Sequence, residues 1–176
     1  MTPPATRSSP AEILLGQVRE LLTHELDVHR RLLVLAEDKR RAVLAADGRG
    51  LNEVVARESA PLTDAGRLRN ARERLLKTAQ VLLNLQPAEL TISGLAARAG
   101  EALRAELMRL AHDLKQTLLR LREANDRNQL LIRQGLGVVR DLIGGITGNP
   151  ALHAYDRRGL MPGAIGGSGS LLDLRG

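Results

Sequence analysis

EALRAELMRLAHDLKQTLLRLREANDRNQLLIRQGLGVVRDLIGGI (101–146) is the stretch on which the fold turns. Leu103, Leu107, Leu110, Leu114, Leu121, Ala124, Leu131, Val138 and Leu142 keep an approximate three-to-four spacing. Held over more than three heptads, that rhythm predicts one long helix with coiled-coil-like packing. Asn125 and Asn128 fall on or near the apolar seam, where a polar residue costs stability but can fix register; a solvent-facing position is the equal alternative. Towards the end come Gly135, Gly137, Gly144 and Gly145, with Gly148 just beyond. Each interior glycine costs a helix about 1 kcal/mol relative to alanine. The apolar stripe nevertheless continues through Val138, Val139, Leu142, Ile143 and Ile146. An apolar stripe on a weak helix former is a segment that a partner would stabilise.

Two further helices are predicted upstream. Ser9 reads as an N-cap, Pro10 as the first helical residue, and Glu12 completes a capping box. Leu15, Val18, Leu22, Leu26, Leu33 and Ala36 follow at helical spacing, widened by Leu14, Leu21, Leu32 and Leu35. This first helix is expected over 10–46, ending at DGRG (47–50). At 1.5 Å per residue it would be about 55 Å long, which makes the expected body elongated. The second is expected over 51–84, its stripe being Leu51, Val55, Leu62, Ala65, Leu68, Leu75, Ala79 and Leu82. Pro61 and Gly66 predict a kink or short break near 58–66, because an interior proline removes a donor and clashes with the preceding turn. Pro87 ends that helix, and a short helical turn capped by Ser93 is expected before residue 101.

The expected fold class is therefore all-α: an elongated antiparallel bundle, or coiled coil, of three main helices at about 10–46, 51–84 and 101–146. The helical body spans 9–147. Residues 1–8, rich in Pro, Thr and Ser, are expected to be disordered. Residues 148–176 are expected to form a flexible, Gly-rich C-terminal tail ending in the apolar cluster SLLDLRG.

Composition narrows the function. The 176 residues hold no Phe, Trp or Cys and a single Tyr. The body must pack with Leu, Val, Ile and Ala, and Tyr155 lies in the tail, available for another role. Without cysteine there is no disulfide framework and no thiolate metal site. The N-terminus lacks the basic start and apolar run of a signal peptide. No uncharged apolar stretch approaches the roughly 20 residues of a membrane span. A soluble cytoplasmic protein is the expectation.

The formal net charge of +6 does not argue for nucleic acid. Residues 1–48 carry seven basic and seven acidic groups, and elsewhere the signs are interspersed, as on solvated helical faces. Arg67, Arg69, Arg72 and Arg74 form a basic run broken by Glu73, and there is no aromatic platform for stacking bases. Long leucine stripes point to partner helices rather than to lipid.

Chemistry is equally hard to place. HELDVH (24–29) is one residue too long for a helical zinc pair: His24 and His29 lie about 140° apart round a helix. His112 and His153 are isolated. Phosphate-binding loops, dinucleotide turns and nucleophile elbows are missing, and GLGVVR (135–140) lacks their strand–turn–helix setting. No enzyme, metal or cofactor is expected.

Three stretches together resemble the FlgN-type flagellar export chaperones. They are LLTHELDVHRRLLVLAEDKRRAVLAADGRGLNEVVARESA (21–60), LQPAELTISGLAARAGEALRAELMRLAHDLKQTL (85–118) and LREANDRNQLLIRQGL (121–136). YDRRG (155–159) and SLLD (170–173) complete the likeness, which covers nearly the whole chain in order. Gly135 and Gly137, and the basic balance, depart from the family's pattern.

The resemblance implies a helical cytoplasmic chaperone. It would bind the C-terminal helices of hook–filament junction (hook-associated) proteins, prevent premature assembly, and deliver them to the membrane export gate. It places cargo contact at Val138, Val139, Leu142, Ile143 and Ile146, docking to the cytoplasmic domain of the export-gate membrane protein at Tyr155, and further tail contacts at Leu171, Leu172 and Leu174. The alternative is a structural coiled-coil scaffold or stalk component of a secretion apparatus, which would bury its seam in a homo-oligomer and would not need the tail.

Overall fold

The computed structural model describes residues 9–147, and among them it contains helices and no strand. The helices are α1 (Pro10–Leu44), α2 (Gly48–Leu82), α3 (Ile92–Ala96) and α4 (Glu101–Thr147), with a 3-10 turn at Pro87–Glu89. Residues 1–8 and 148–176 lie outside the described residues. The chain divides into two compact units, Met1–Gln129 and Leu130–Gly176.

In the first unit α1 begins as its sequence predicts. Ser9 Oγ accepts from the Glu12 N–H at 3.2 Å, and Glu12 Oε2 accepts from the Ser9 N–H at 2.8 Å. The α1–α2 connection is tighter than expected. Asp47 does not end a helix three residues before the next; it caps the next one, accepting from the Gly50 N–H at 2.8 Å. A Cβ at Gly50 would meet that carboxylate at 2.3 Å, so glycine keeps the cap in place. Ala46 turns the chain with a φ of 52°.

Cross-helix pairs fix the topology. Lys39–Glu58 (2.6 Å) and Glu25–Arg72 run in opposite senses along α1 and α2, so the two helices are antiparallel. Arg19–Glu106 (3.8 Å) and Asn128–Ala36 (2.8 Å) rise together, so the bundled part of α4 is parallel to α1. The three long helices thus run up, down and up. The main apolar core fills one end of this unit. There Leu15, Val18, Leu22 and Leu26 of α1 meet Ala79 of α2 and Leu107, Leu110 and Leu114 of α4, while Leu95 and Ala96 of α3 close the end. Fully burying one leucine is worth roughly 1.5–3 kcal/mol, so this cluster dominates the unit's stability.

Three expectations need correction. α2 has no break at 58–66: the helix is continuous there, with Pro61 buried inside it. Tertiary packing of the proline ring outweighs its cost to the helix. The inward face of α2 also departs from the expected one in part: Ala65, Leu68, Leu75 and Ala79 face inward as expected, but Val55, Leu62 and Leu82 are exposed. The inward row is instead Val54, Glu58, Pro61, Ala65, Leu68, Arg72, Leu75 and Ala79, alternating by four and three. Glu58 and Arg72 fit this row because each meets an opposite charge on α1. Lastly, α3 is capped by Thr91, whose Oγ1 accepts from the Gly94 N–H at 3.1 Å, and not by Ser93. Gly94 lies so close to the Glu89 carbonyl that a Cβ would come within 2.1 Å of its oxygen.

The two asparagines separate. Asn125 is exposed, whereas Asn128 is buried in the seam against α1.

Candidate binding surface at the end of α4

Along α4 the buried positions are Leu107, Leu110, Leu114, Thr117, Ala124 and Asn128. From Gln129 to the end of the helix no residue whose burial is described is buried. Within the second unit, the described side chains of α4 are exposed or half-buried although the sequence stays apolar.

Leu136, Val138, Val139, Leu142, Ile143 and Ile146 are between 47% and 84% exposed. At about 100° per residue they form two adjoining rows. One is Ile132, Leu136, Val139, Ile143 and Ile146, spaced four, three, four, three. The other holds Leu131, Val138 and Leu142, with Gly135 between them. Together they cover an arc of roughly 160°, wide enough to seat against an apolar partner helix. Leu136, Val139, Arg140 and Ile143 line one open depression on this face. Arg133 and Arg140, seven residues apart, border one edge.

All five residues assigned to cargo on the likeness lie on this surface. The structure adds Leu136, and Ile132 at the head of the same row, which the sequence reading left out. Their heptad phase with Val139 and Ile143 was the available signal. Tyr155, Leu171, Leu172 and Leu174 lie outside the described residues.

The backbone of this surface is open. A Cβ added at Gly135 or Gly137 would meet no heavy atom within 4 Å. These glycines are therefore not required by close packing with any described neighbour, and their effect is on helix propensity.

Other chemistry finds little support. Among the described residues no group of three or more His, Asp or Glu side chains is placed to hold a metal ion. No helix of the described residues is long and apolar enough to cross a membrane.

A family model described as FlgN protein matches residues 14–163. The chain belongs to the FlgN family. This membership makes it a chaperone-type protein of flagellar assembly. The matched residues include the whole exposed face of α4 and Tyr155, and end before Leu171. Comparison with curated proteins and with solved structures found no match.

Proposed function

We propose that this FlgN-family chain is a cytoplasmic export chaperone for hook–filament junction proteins. It binds their C-terminal helical segments, holds them back from premature assembly, and hands them to the export gate. The observation behind this reading is the double row of apolar side chains on α4, in which Leu136, Val138, Val139, Leu142, Ile143 and Ile146 are exposed together on one face.

The chemistry of the cargo fits. An assembly-prone terminal helix carries an apolar stripe that stays exposed until it polymerises. A second amphipathic helix can cover that stripe by side-by-side packing, with anchors at heptad spacing. Val138, Val139, Leu142, Ile143 and Ile146, joined by Leu136, supply such anchors. Gly135 and Gly137 weaken the free helix, so part of the contact energy goes into ordering it. The complex is then specific yet reversible, as delivery requires. Gate docking is assigned to Tyr155, the one aromatic side chain in the sequence.

Light scattering tests the reading. A stoichiometric amount of the chain is expected to suppress self-assembly of a purified hook-associated protein. Undiminished assembly in the presence of excess chain contradicts it.

A further inference from the structure

We infer that α4 unlatches from α1 over residues 117–128 while the main core of the first unit stays closed, with Asn128 as the latch. Along the inward face of α4 the apolar filling runs out in chain order. Leu107, Leu110 and Leu114 are buried and belong to the main core. Beyond them Thr117, Ala124 and Asn128 take the buried positions, and Leu121 is only half-buried. Stabilisation scales with the apolar area removed from water, so a threonine, an alanine and an amide hold this stretch less firmly than three leucines hold the other.

The polar links show which seam gives way. α1 and α2 run close together and are tied by Glu25–Arg72, Asp38–Arg57 and Lys39–Glu58. The backbone of α4 stands further from both. Among the described residues of the first unit, the one hydrogen bond or ion pair that α4 makes to another helix beyond Glu106 is Asn128 Nδ2 to the Ala36 carbonyl. The Thr117 hydroxyl adds nothing across the seam, because it donates to the Asp113 carbonyl of its own helix at 2.8 Å.

Asn128 sets the balance between the two forms. In the closed form its Nδ2 is bonded, while its Oδ1 is buried with no hydrogen-bond partner among the described residues. Opening gives that oxygen, and the Ala36 carbonyl, access to water, which brings the open form closer in free energy. Segments with few apolar contacts open locally, below the free energy of global unfolding. This opening bares Ala36 on α1 and Thr117, Ala124 and Asn128 on α4, and leaves the α1–α2 hairpin paired. Through it α4 shows a face that the closed form hides.

The cysteine-free sequence makes thiol labelling of the full chain the test. Ala36→Cys and Ala124→Cys place single thiols on the two sides of the seam; Ala79→Cys and Ala96→Cys place them in the main core as references. The two seam thiols are expected to label at least about tenfold faster than the references. Their rates should barely change in low urea, because local opening exposes little surface, whereas the references should label faster as urea rises. Adding Asn128→Leu should slow both seam thiols at least about fivefold, because the orphaned acceptor is gone. Seam thiols that label no faster than the references, with the same urea dependence, overturn the inference. So does rapid labelling at only one of the two, since opening bares both sides. Unchanged labelling in the Asn128→Leu background removes Asn128 as the latch and overturns it as well. Circular dichroism melting of each variant confirms that it is folded, and the urea dependence separates local from global opening where a variant's stability differs.

Discussion

Asn128 of α4 donates from Nδ2 to the main-chain carbonyl of Ala36 in α1, at 2.8 Å, across a seam where both residues are buried. Its Oδ1 has no hydrogen-bond partner among the described residues. One asparagine thus gives one bond and one uncompensated acceptor, whose desolvation costs about 1–3 kcal/mol.

Asn128→Leu should accordingly be neutral or stabilising by up to about 1–2 kcal/mol, since both the bond and the orphaned oxygen disappear. Asn128→Asp should destabilise by at least about 2 kcal/mol at neutral pH, because it sets a buried carboxylate beside a carbonyl oxygen. Thermal unfolding checks the pair. A leucine variant that melts far below the asparagine form refutes the assignment.

Glu25 and Arg72 are bonded but not equivalent. Glu25 is 2% exposed and takes two bonds from Arg72, one of them Nε to Oε1 at 2.9 Å; the Arg72 side chain is 43% exposed. Arg72→Ala leaves a carboxylate buried and unpaired, and should cost about 2–4 kcal/mol. Glu25→Leu should cost less, because the arginine can turn into water while leucine fills the seam. Chemical denaturation of the two variants reads the asymmetry directly, and equal losses contradict it.

Gly135→Ala/Gly137→Ala adds two Cβ atoms into open space. Each alanine should favour the helix by about 1 kcal/mol. Exchange over 130–147 should slow in the free protein, and cargo should bind about 3–30-fold more tightly, because less ordering remains to be done. Unchanged or weakened binding shows that the glycines have another role.

Tyr155→Ala should weaken binding to the cytoplasmic domain of the export-gate protein while leaving cargo affinity and the circular dichroism spectrum unaltered. Surface plasmon resonance against that domain checks it. Undiminished binding removes Tyr155 from the docking site.

Much of the fold was legible because it is written locally. Ser9, Pro10 and Glu12 spell the start of α1, and the leucines of α1 and α4 keep helical period. What was not legible depends on partners distant in sequence. Glu58 and Arg72 read as surface charges until Lys39 and Glu25 are brought against them, and Pro61 reads as a breaker until its ring is buried. Without those three positions the apolar pattern runs through Val55 and Leu62, which are exposed. At the candidate site the five residues from Val138 to Ile146 could be seen in the stripe. Leu136 is less legible because Gly135 and Gly137 flank it and lower the helix propensity there, although its heptad phase with Ile143 holds.

The central claim is that cargo packs on the exposed apolar rows of α4. Calorimetry with a C-terminal peptide of a hook-associated protein tests it on three proteins: the unaltered chain, Val139→Glu/Ile143→Glu, and Val81→Glu as a control on an 84% exposed valine of α2. The account predicts at least about a hundredfold loss for the double variant, because two carboxylates would be forced into an apolar contact, and no loss for the control. A double variant that binds as tightly as the unaltered chain, with its helical spectrum intact, would contradict the account.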